Sequence, residues 1–405
     1  MFGTQAAPWL RLRWPPRPRI LFSVRTRHPI PRATGSEPSR AAAARILARW
    51  LETRAFPNRL LETITDHRPE VQDYVFAAVR RRETLDWILR TYLRDRPISK
   101  VRALLHLGLV QLLFMERIPD HAAVHETVEA ARELGVPWAS RVINAVLRRA
   151  QADRNEILLR LRRMPPSVRL SHPPLLIERW ERELGAPRAH RLCEWNNQPA
   201  RVCVRLRPGA PAVEDYLAQL RAHGIAAEPH PYAPDRFIEL GHGVRPTVLP
   251  GFESGLIYMQ DPSTMVAPML LAPRPGETVL DACAAPGGKT ALLAEQMNGC
   301  GRLIAGELHA DRLAILQNNL RRLRLHDVEV VRMNAAEWVP APSQPTQFDA
   351  ILLDVPCTNT GVIRRRPDVR WSFTVERLER LARLQAALLD ALAPRVRPGG
   401  RLVYS

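Results

Sequence analysis

From Ala41 to about Ala150, apolar residues recur three and four positions apart, the spacing of one helical face. Ala43, Ile46, Leu47, Trp50 and Leu51 form one such stripe, and Val71, Tyr74, Val75, Ala78 and Val79 another. The strongest is Val101, Leu104, Leu105, Gly108, Leu109, Leu112 and Leu113, with Pro97 before it and Pro119 after it. Asp120 is placed to cap HAAVHETVEAAREL, and Val142, Ile143, Val146 and Leu147 mark one more helix. An all-α domain of five or six helices is predicted. Residues 151–255 are mixed and rich in Pro, Arg and His. A helix from Pro174 to Leu184, a strand in ARVCVRLRP, a helix in EDYLAQLRAHG and a strand in RFIELGHG suggest a small α/β module, either an RNA platform or a connector. From Gly255 the pattern alternates between strand and helix at 277–283, 289–297, 301–308, 311–323, 328–333, 348–355, 376–393 and 400–405. That rhythm predicts a mainly parallel sheet covered by helices. The expected division is 1–38, 39–152, 153–254 and 255–405.

Composition sharpens this picture in one respect. The 405 residues carry 59 Lys+Arg against 41 Asp+Glu, a formal charge of +18. Lys100 and Lys289 are the two lysines, so the cations are nearly all arginine. Genomic base composition explains Arg in place of Lys, but not the excess of base over acid, which favours a polyanionic partner. Cys193, Cys203, Cys283, Cys300 and Cys357 form no CxxC pair and read as reduced thiols. The histidines show no metal spacing, so no metal is expected. The longest apolar stretch, Leu104 to Phe114, contains His106 and Gln111 and is too short to span a bilayer. A soluble cytoplasmic protein is expected. The first 36 residues hold seven arginines and no acid, and read as a disordered basic arm or a spurious start rather than a transit-like leader.

The chemistry concentrates in two segments. In ETVLDACAAPGGKTALLAEQM, Val279 and Leu280 are strand core and Asp281 ends the strand. Pro286, Gly287 and Gly288 make a turn where a ligand can lie against bare backbone, and Lys289 and Thr290 begin a helix. The free N–H groups of that helix point back at the loop. Lys289 serves either this loop or merely its own helix start. Glu307, twenty residues past Gly287, ends the next strand, where a carboxylate can accept hydrogen bonds from both ribose hydroxyls. The loop is neither GxGxxG nor a P-loop, so a cofactor with adenosine and no phosphate, S-adenosylmethionine, fits better than a diphosphate. In FDAILLDVPCTNTGVIRRRPDVRW, Asp354 stands at a strand's carboxyl end and Pro356-Cys357 follows.

DACAAPGGKT, DVPC and the late LQAALLDALAPRVRPGGRLVYS together resemble the Sun/RsmB family of RNA cytosine-C5 methyltransferases. KVRALLHLGLVQLLFMERIPDHAAVHETVEAARELG, followed by SRVINAVLRR, resembles the NusB family of RNA-binding helical domains. The resemblance implies an α/β fold: a class I methyltransferase, Rossmann-like sheet preceded by a NusB-like all-α domain and a small α/β middle module. It further implies that Cys283, Ala284, Ala285, Pro286, Gly287, Gly288 and Lys289 wrap S-adenosylmethionine, that Glu307 holds its ribose and that position 334 contacts adenine. Asn334 stands there in place of the family's usual Asp and keeps one acceptor. Asp354 would contact the base edge and the methionine end of the cofactor. In the implied reaction a thiolate adds to carbon 6 of cytosine, making carbon 5 nucleophilic toward the methyl group. Cys357 matches the family cysteine that assists product release. Arg364, Arg365 and Arg366, near Trp371, would contact RNA phosphate or stack on bases, although such a run is ordinarily a solvated face. The implied partner is small-subunit ribosomal RNA, met by a monomer with no metal and no membrane attachment. Two rival readings are a non-catalytic RNA-binding protein and a transfer RNA methyltransferase.

The family's nucleophile lies in a Thr-Cys-Ser segment directly after the strand read here as LVYS, so it is expected beyond Ser405, the chain being a truncated form. The family's strand order, 3-2-1-4-5-7-6, places a final hairpin beside the fifth strand. Without it GGRLVYS is an apolar sheet edge prone to association. A form extended past Ser405 is expected to give more soluble protein in matched expression trials, and equal soluble yields would contradict this.

Overall fold

The computed structural model describes residues 37–405 except Arg54, Thr65, His242 and Gly243. Of the expected basic arm, 1–38, all but Glu37 and Pro38 lies outside the described residues. The helical domain is built from Ser39–Thr53, Arg68–Arg80, Arg82–Tyr92, Ser99–Phe114, Asp120–Glu133 and Ser140–Ala152, with a short turn of helix at Pro57–Leu61. Ser99–Phe114 is its axis and is buried from Val101 to Leu112, because neighbouring helices surround it on every side. The polar residues on this axis are satisfied internally. Arg102 and His106 both meet Asp86, and Gln111 accepts from Arg40 at 2.8 Å. Asp120 does not cap its helix. It is the first helical residue, and its carboxylate accepts from Arg154 instead.

In 153–196 the expected helix Pro174–Leu184 is present, and in place of the extended entry and mixed segments around it stand three more helices, Arg154–Arg162, Pro166–Arg169 and Ala186–Asn196. The prolines explain the discrepancy. Pro166 and Pro174 sit in first turns, where the missing N–H costs nothing. Gly185, at φ 76°, turns the chain directly from one helix into the next.

An antiparallel sheet follows, made of β1 (Val202–Leu206), β2 (Ala227–Pro229), β3 (Phe237–Leu240) and β4 (Ile257–Met259), in the order β2-β3-β1-β4. Helix Val213–Ala222 covers one face through Val213, Tyr216 and Leu220. The boundary expected at 254 falls short of this sheet. β4 pairs with β1, so residues to Met259 complete it. The three residues of β4 are too few to show an alternating pattern.

The last part is a five-stranded parallel sheet: β5 (Thr278–Asp281), β6 (Arg302–Glu307), β7 (Val328–Arg332), β8 (Phe348–Leu353) and β9 (Val396–Tyr404). Its order, β7-β6-β5-β8-β9, is the one expected of the first five strands. β9 begins earlier than the expected 400, with a register shift opposite Phe348 and Ala350 where Pro398, Gly399 and Gly400 intervene. The chain steps outward from β5 to β7, then returns to lay β8 on the other side of β5. Ligands enter such sheets at the carboxyl ends of the strands flanking that reversal.

The loop after β8 is fastened to everything before it. Arg370 is fully buried, and among the described residues no carboxylate lies within ion-pair distance of it. Its guanidinium donates to the Ser171 carbonyl at 3.1 Å, the Asn196 carbonyl at 3.0 Å and Asn197 Oδ1 at 2.7 Å. Beside it, Trp371 Nε1 donates to the Val79 carbonyl at 2.9 Å while its ring packs on the helical core and beneath Arg82. Ile363 and Val369 fill a cluster with Leu170, Leu176, Ile177 and Trp180. Replacing Arg370 with Met strands these buried acceptors, and each stranded group costs about 1–3 kcal/mol. We expect a clear fall in the urea midpoint for Arg370→Met and a smaller one for Arg370→Lys. An unchanged midpoint in the Met variant would contradict this fastening.

Candidate active site

The turn after β5 is shaped by close approach. Gly287 has φ 105°, and a Cβ there would lie 3.0 Å from Leu316 Cδ1. A Cβ on Gly288 would lie 2.8 Å from Tyr258 Cε1, so the loop and β4 touch through bare backbone. The loop is held from outside. Arg312 donates to the Ala285 carbonyl at 2.7 Å, Asn319 Nδ2 to the Pro286 carbonyl at 2.8 Å and Tyr258 Oη to the same carbonyl at 3.3 Å. From the middle sheet, Arg205 and Arg207 grip Glu295 on the helix that the loop opens, at 2.5 and 2.7 Å.

Three carboxylates converge on this loop. Glu307, at the end of β6, is buried and accepts from the His309 N–H at 3.1 Å. Asp354, after β8, meets Lys289 Nζ at 2.5 Å. Lys289 therefore reaches across the crevice, where the sequence left its role open. The third carboxylate, Asp281, was read only as the end of a strand. It is fully buried, takes a 2.7 Å hydrogen bond from Thr290 Oγ1 on one oxygen and has no partner on the other. Burial pushes its pKa up to about 7; the charges of Asp354 and Glu307 add to this, while Thr290 and Lys289 oppose it. The available signal was Asp281 and Thr290 lying nine residues apart across the turn, but spacing alone does not show burial.

Asn334 lies just past β7, its Oδ1 accepting from the Ala336 N–H at 3.3 Å and its Nδ2 donating to Glu337 at 2.9 Å. Burial pushes the Cys283 thiol up to about 12, as suits a packing residue. Cys357 is exposed, and its Sγ accepts from the Asn359 N–H at 3.4 Å in a turn that Asn359 makes at φ 61°.

The three arginines expected to face RNA go separate ways. Arg365 turns inward to Asp261, to the Arg201 carbonyl at 2.9 Å and to Cys203 Sγ at 3.4 Å. Arg364 lies 3.8 Å from the Trp195 ring centroid, and Arg366 lies 5.2 Å from that of Phe56. The fold also gathers Cys203, His230 and Glu239, whose potential ligand atoms lie within 4.8 Å of one another, although no sequence spacing joined them. Each already has a partner: Arg365 on Cys203, Arg201 on Glu239 at 3.0 Å and the Tyr232 N–H on His230 Nδ1 at 3.2 Å. The two guanidiniums oppose a cation there.

Comparison with known proteins assigns each region separately. Residues 268–405 match the family described as 16S rRNA methyltransferase RsmB/F, and 37–152 match the NusB family. Residues 172–242 match the ferredoxin-like domain of RsmF/B-like methyltransferases. Ribosomal RNA small subunit methyltransferase B of Pseudomonas putida is 38% identical over 383 residues, 90% of this chain and 84% of that protein. The probable enzyme of the same name from Bacillus subtilis is 32% identical over 379 residues, again 90% and 84%. The crystal structure of PH0851 shares the fold with TM-score 0.73 at 23% identity, covering 91% of this chain and 86% of that one. NSun6 from Pyrococcus horikoshii, solved with SFG, aligns with TM-score 0.51 at 22% identity, over 57% and 82%.

The environment of Asp281 predicts a pH signature. Its carboxyl titrates near 7 in the folded chain and near 4 when unfolded, so between those values the folded state holds the extra proton. The group's contribution to stability therefore falls as pH rises through that window. Asp281→Asn removes the titration, so its melting temperature should gain on that of the parent from pH 5 to pH 8. A difference independent of pH would contradict the assigned environment.

Proposed function

The chain belongs to the RsmB/F family of 16S rRNA methyltransferases, and from that premise we propose that it methylates carbon 5 of a cytosine in small-subunit ribosomal RNA, using S-adenosylmethionine. The observation that carries this reading is the meeting of the bare Gly287-Gly288 turn, buried Glu307 and the Lys289–Asp354 pair where the parallel sheet reverses. The crevice suits this cofactor: Leu316 and Tyr258 pack so closely on Gly287 and Gly288 that the turn keeps its bare backbone, and three carboxylates favour a cationic ligand. When bound, S-adenosylmethionine supplies a methyl group on a positively charged sulfur.

The chain's own residues bind and orient the reactants. Cys283 to Lys289 wrap the cofactor, Glu307 accepts hydrogen bonds from the ribose hydroxyls, and Asn334 Oδ1 accepts from the adenine amino group. Lys289 orients Asp354, and Asp354 meets the base edge and stabilises charge as it shifts around the ring. Cys357, exposed beside Asp354 on the same loop, acts in release of the methylated base. In this reading the protein works as a cytoplasmic monomer without a metal.

Removing Glu307 tests the cofactor half. Charge-assisted hydrogen bonds contribute about 1.5–3 kcal/mol, so Glu307→Ala should weaken S-adenosylmethionine binding roughly 10- to 150-fold in calorimetry. Unchanged affinity would contradict the site. Label from the cofactor should appear at cytosine carbon 5 in unmodified small-subunit ribosomal RNA, and label confined to transfer RNA would overturn the substrate.

A further inference from the structure

Helix Val375–Leu392 leans on the segment that leaves β8. Its Leu388 and Leu392 share one apolar cluster with Val355 of that segment. One turn before Leu388, on the same face of the helix, Gln385 reaches the next residue along, its Nε2 donating to the Pro356 carbonyl at 2.9 Å. From the other side Tyr404, on the edge strand β9, donates its hydroxyl to Gln385 Oε1 at 3.1 Å. Chemistry fixes the direction of this relay. A carbonyl only accepts, so the amide nitrogen faces Pro356, and the amide oxygen is left to take the phenol.

The contact falls where the ordinary supports of the backbone run out. Up to Val355 the chain is held as sheet: the Ser405 N–H donates to the Leu353 carbonyl at 3.0 Å, and the Val355 N–H to the Ser405 carbonyl at 3.1 Å. Pro356 has no N–H to give. Among the described residues its carbonyl is the last backbone group before Cys357 with a hydrogen-bond partner outside the loop. Beyond it the bonds of Cys357 are to Asn359, whose N–H donates to Sγ at 3.4 Å and whose Nδ2 donates to the Cys357 carbonyl at 3.5 Å. Cys357 is exposed, so burial does not hold its side chain in place. The thiol takes its position from the backbone that precedes it.

We propose that Gln385, aimed by Tyr404, is the positioning residue that sets where the Cys357 thiol stands relative to Asp354. The proposal rests on the reading of Cys357 as the group that acts in release of the methylated base, and deepens it. Gln385 acts through the Pro356 carbonyl and not on the substrate itself. An amide suits the task because it offers a donor and an acceptor in one plane and does not titrate, so its hold is the same at any working pH.

The test joins thiol alkylation to turnover. Cys357 and Cys300 are both exposed, so iodoacetamide followed by peptide mass spectrometry reads the first against the second as an internal control. Gln385→Leu removes donor and acceptor at similar size and should let Cys357 alkylate about 2- to 10-fold faster, the range expected for one lost hydrogen bond, with Cys300 unchanged. Gln385→Glu sets an oxygen against the Pro356 carbonyl and should do the same. Tyr404→Phe keeps the donor, loses only its aim and should have a smaller effect. A merely structural role would lower the melting temperature, measured alongside, without singling out one cysteine. With S-adenosylmethionine and unmodified small-subunit ribosomal RNA, Gln385→Leu should slow repeated turnover about 2- to 10-fold more than it slows the first turnover. Parental Cys357 alkylation in both Gln385 variants, or first and later turnovers slowed alike, would overturn the positioning role and leave the proposed function standing. A parent protein that transfers no methyl group to RNA would overturn both.

Discussion

Arg370 holds this protein's parts in register. A guanidinium stays charged at any ordinary pH, so burying one without a carboxylate is tolerable only where several oxygens surround it. Here the Ser171 and Asn196 carbonyls and the Asn197 amide do so, and Trp371 adds its own bond to Val79. These partners come from the helical domain, from the turn after Leu170 and from the end of a middle helix. The loop that leaves β8 through Asp354 and Cys357 is therefore pinned at its far end to structure more than 170 residues earlier in the chain. With its near end fixed by the sheet, this loop has little freedom to move independently of the helical domain.

The crevice this pinning frames is electrostatically unlike the rest of the molecule. In a chain of formal charge +18, Asp281, Glu307 and Asp354 gather around one loop, and Lys289, one of two lysines, is placed among them. A cationic cofactor is drawn to the acids, while the polyanionic substrate is drawn to the arginines around them. The buried Arg205–Glu295 pair adds rigidity from the side of the middle sheet, holding the helix that the cofactor turn opens.

Much of this was legible in the sequence where the periodicity was strong. The stripe from Val101 to Leu113 gave the helical axis, and the runs around Val279 and Ile351 gave the central strands. The turn at Pro286-Gly287-Gly288 marked the loop after β5, and Glu307 lay at the distance that a second strand requires. Other features were hidden for physical reasons. The helices on either side of Pro174–Leu184 read as extended or mixed because proline suits a helix's first turn as well as a loop. β4 was invisible because three residues carry no alternation. Asp281 looked like a strand end because burial is a property of the fold. The Arg364-Arg365-Arg366 run looked uniform, yet its members diverge because Asp261, Trp195 and Phe56 reach them from distant segments. Arg370 and Trp371 gave no sign of acting as a fastening, since their partners are mostly backbone carbonyls, which no sequence pattern reveals.

The linkage between the catalytic loop and the helical domain is most directly tested by hydrogen–deuterium exchange. The amides of Val362, Arg365, Arg366 and Val369 are hydrogen-bonded within the loop, to Asn359, Val362, Val362 and Arg366 respectively. If Arg370 makes loop and helical domain one body, these amides should exchange about as slowly as those of helix Arg68–Arg80. In Arg370→Met both sets should accelerate together, because segments that open as one unit share one opening free energy. Fast loop exchange in the unaltered protein, or acceleration confined to the loop in the variant, would show that the two move independently and would contradict the account.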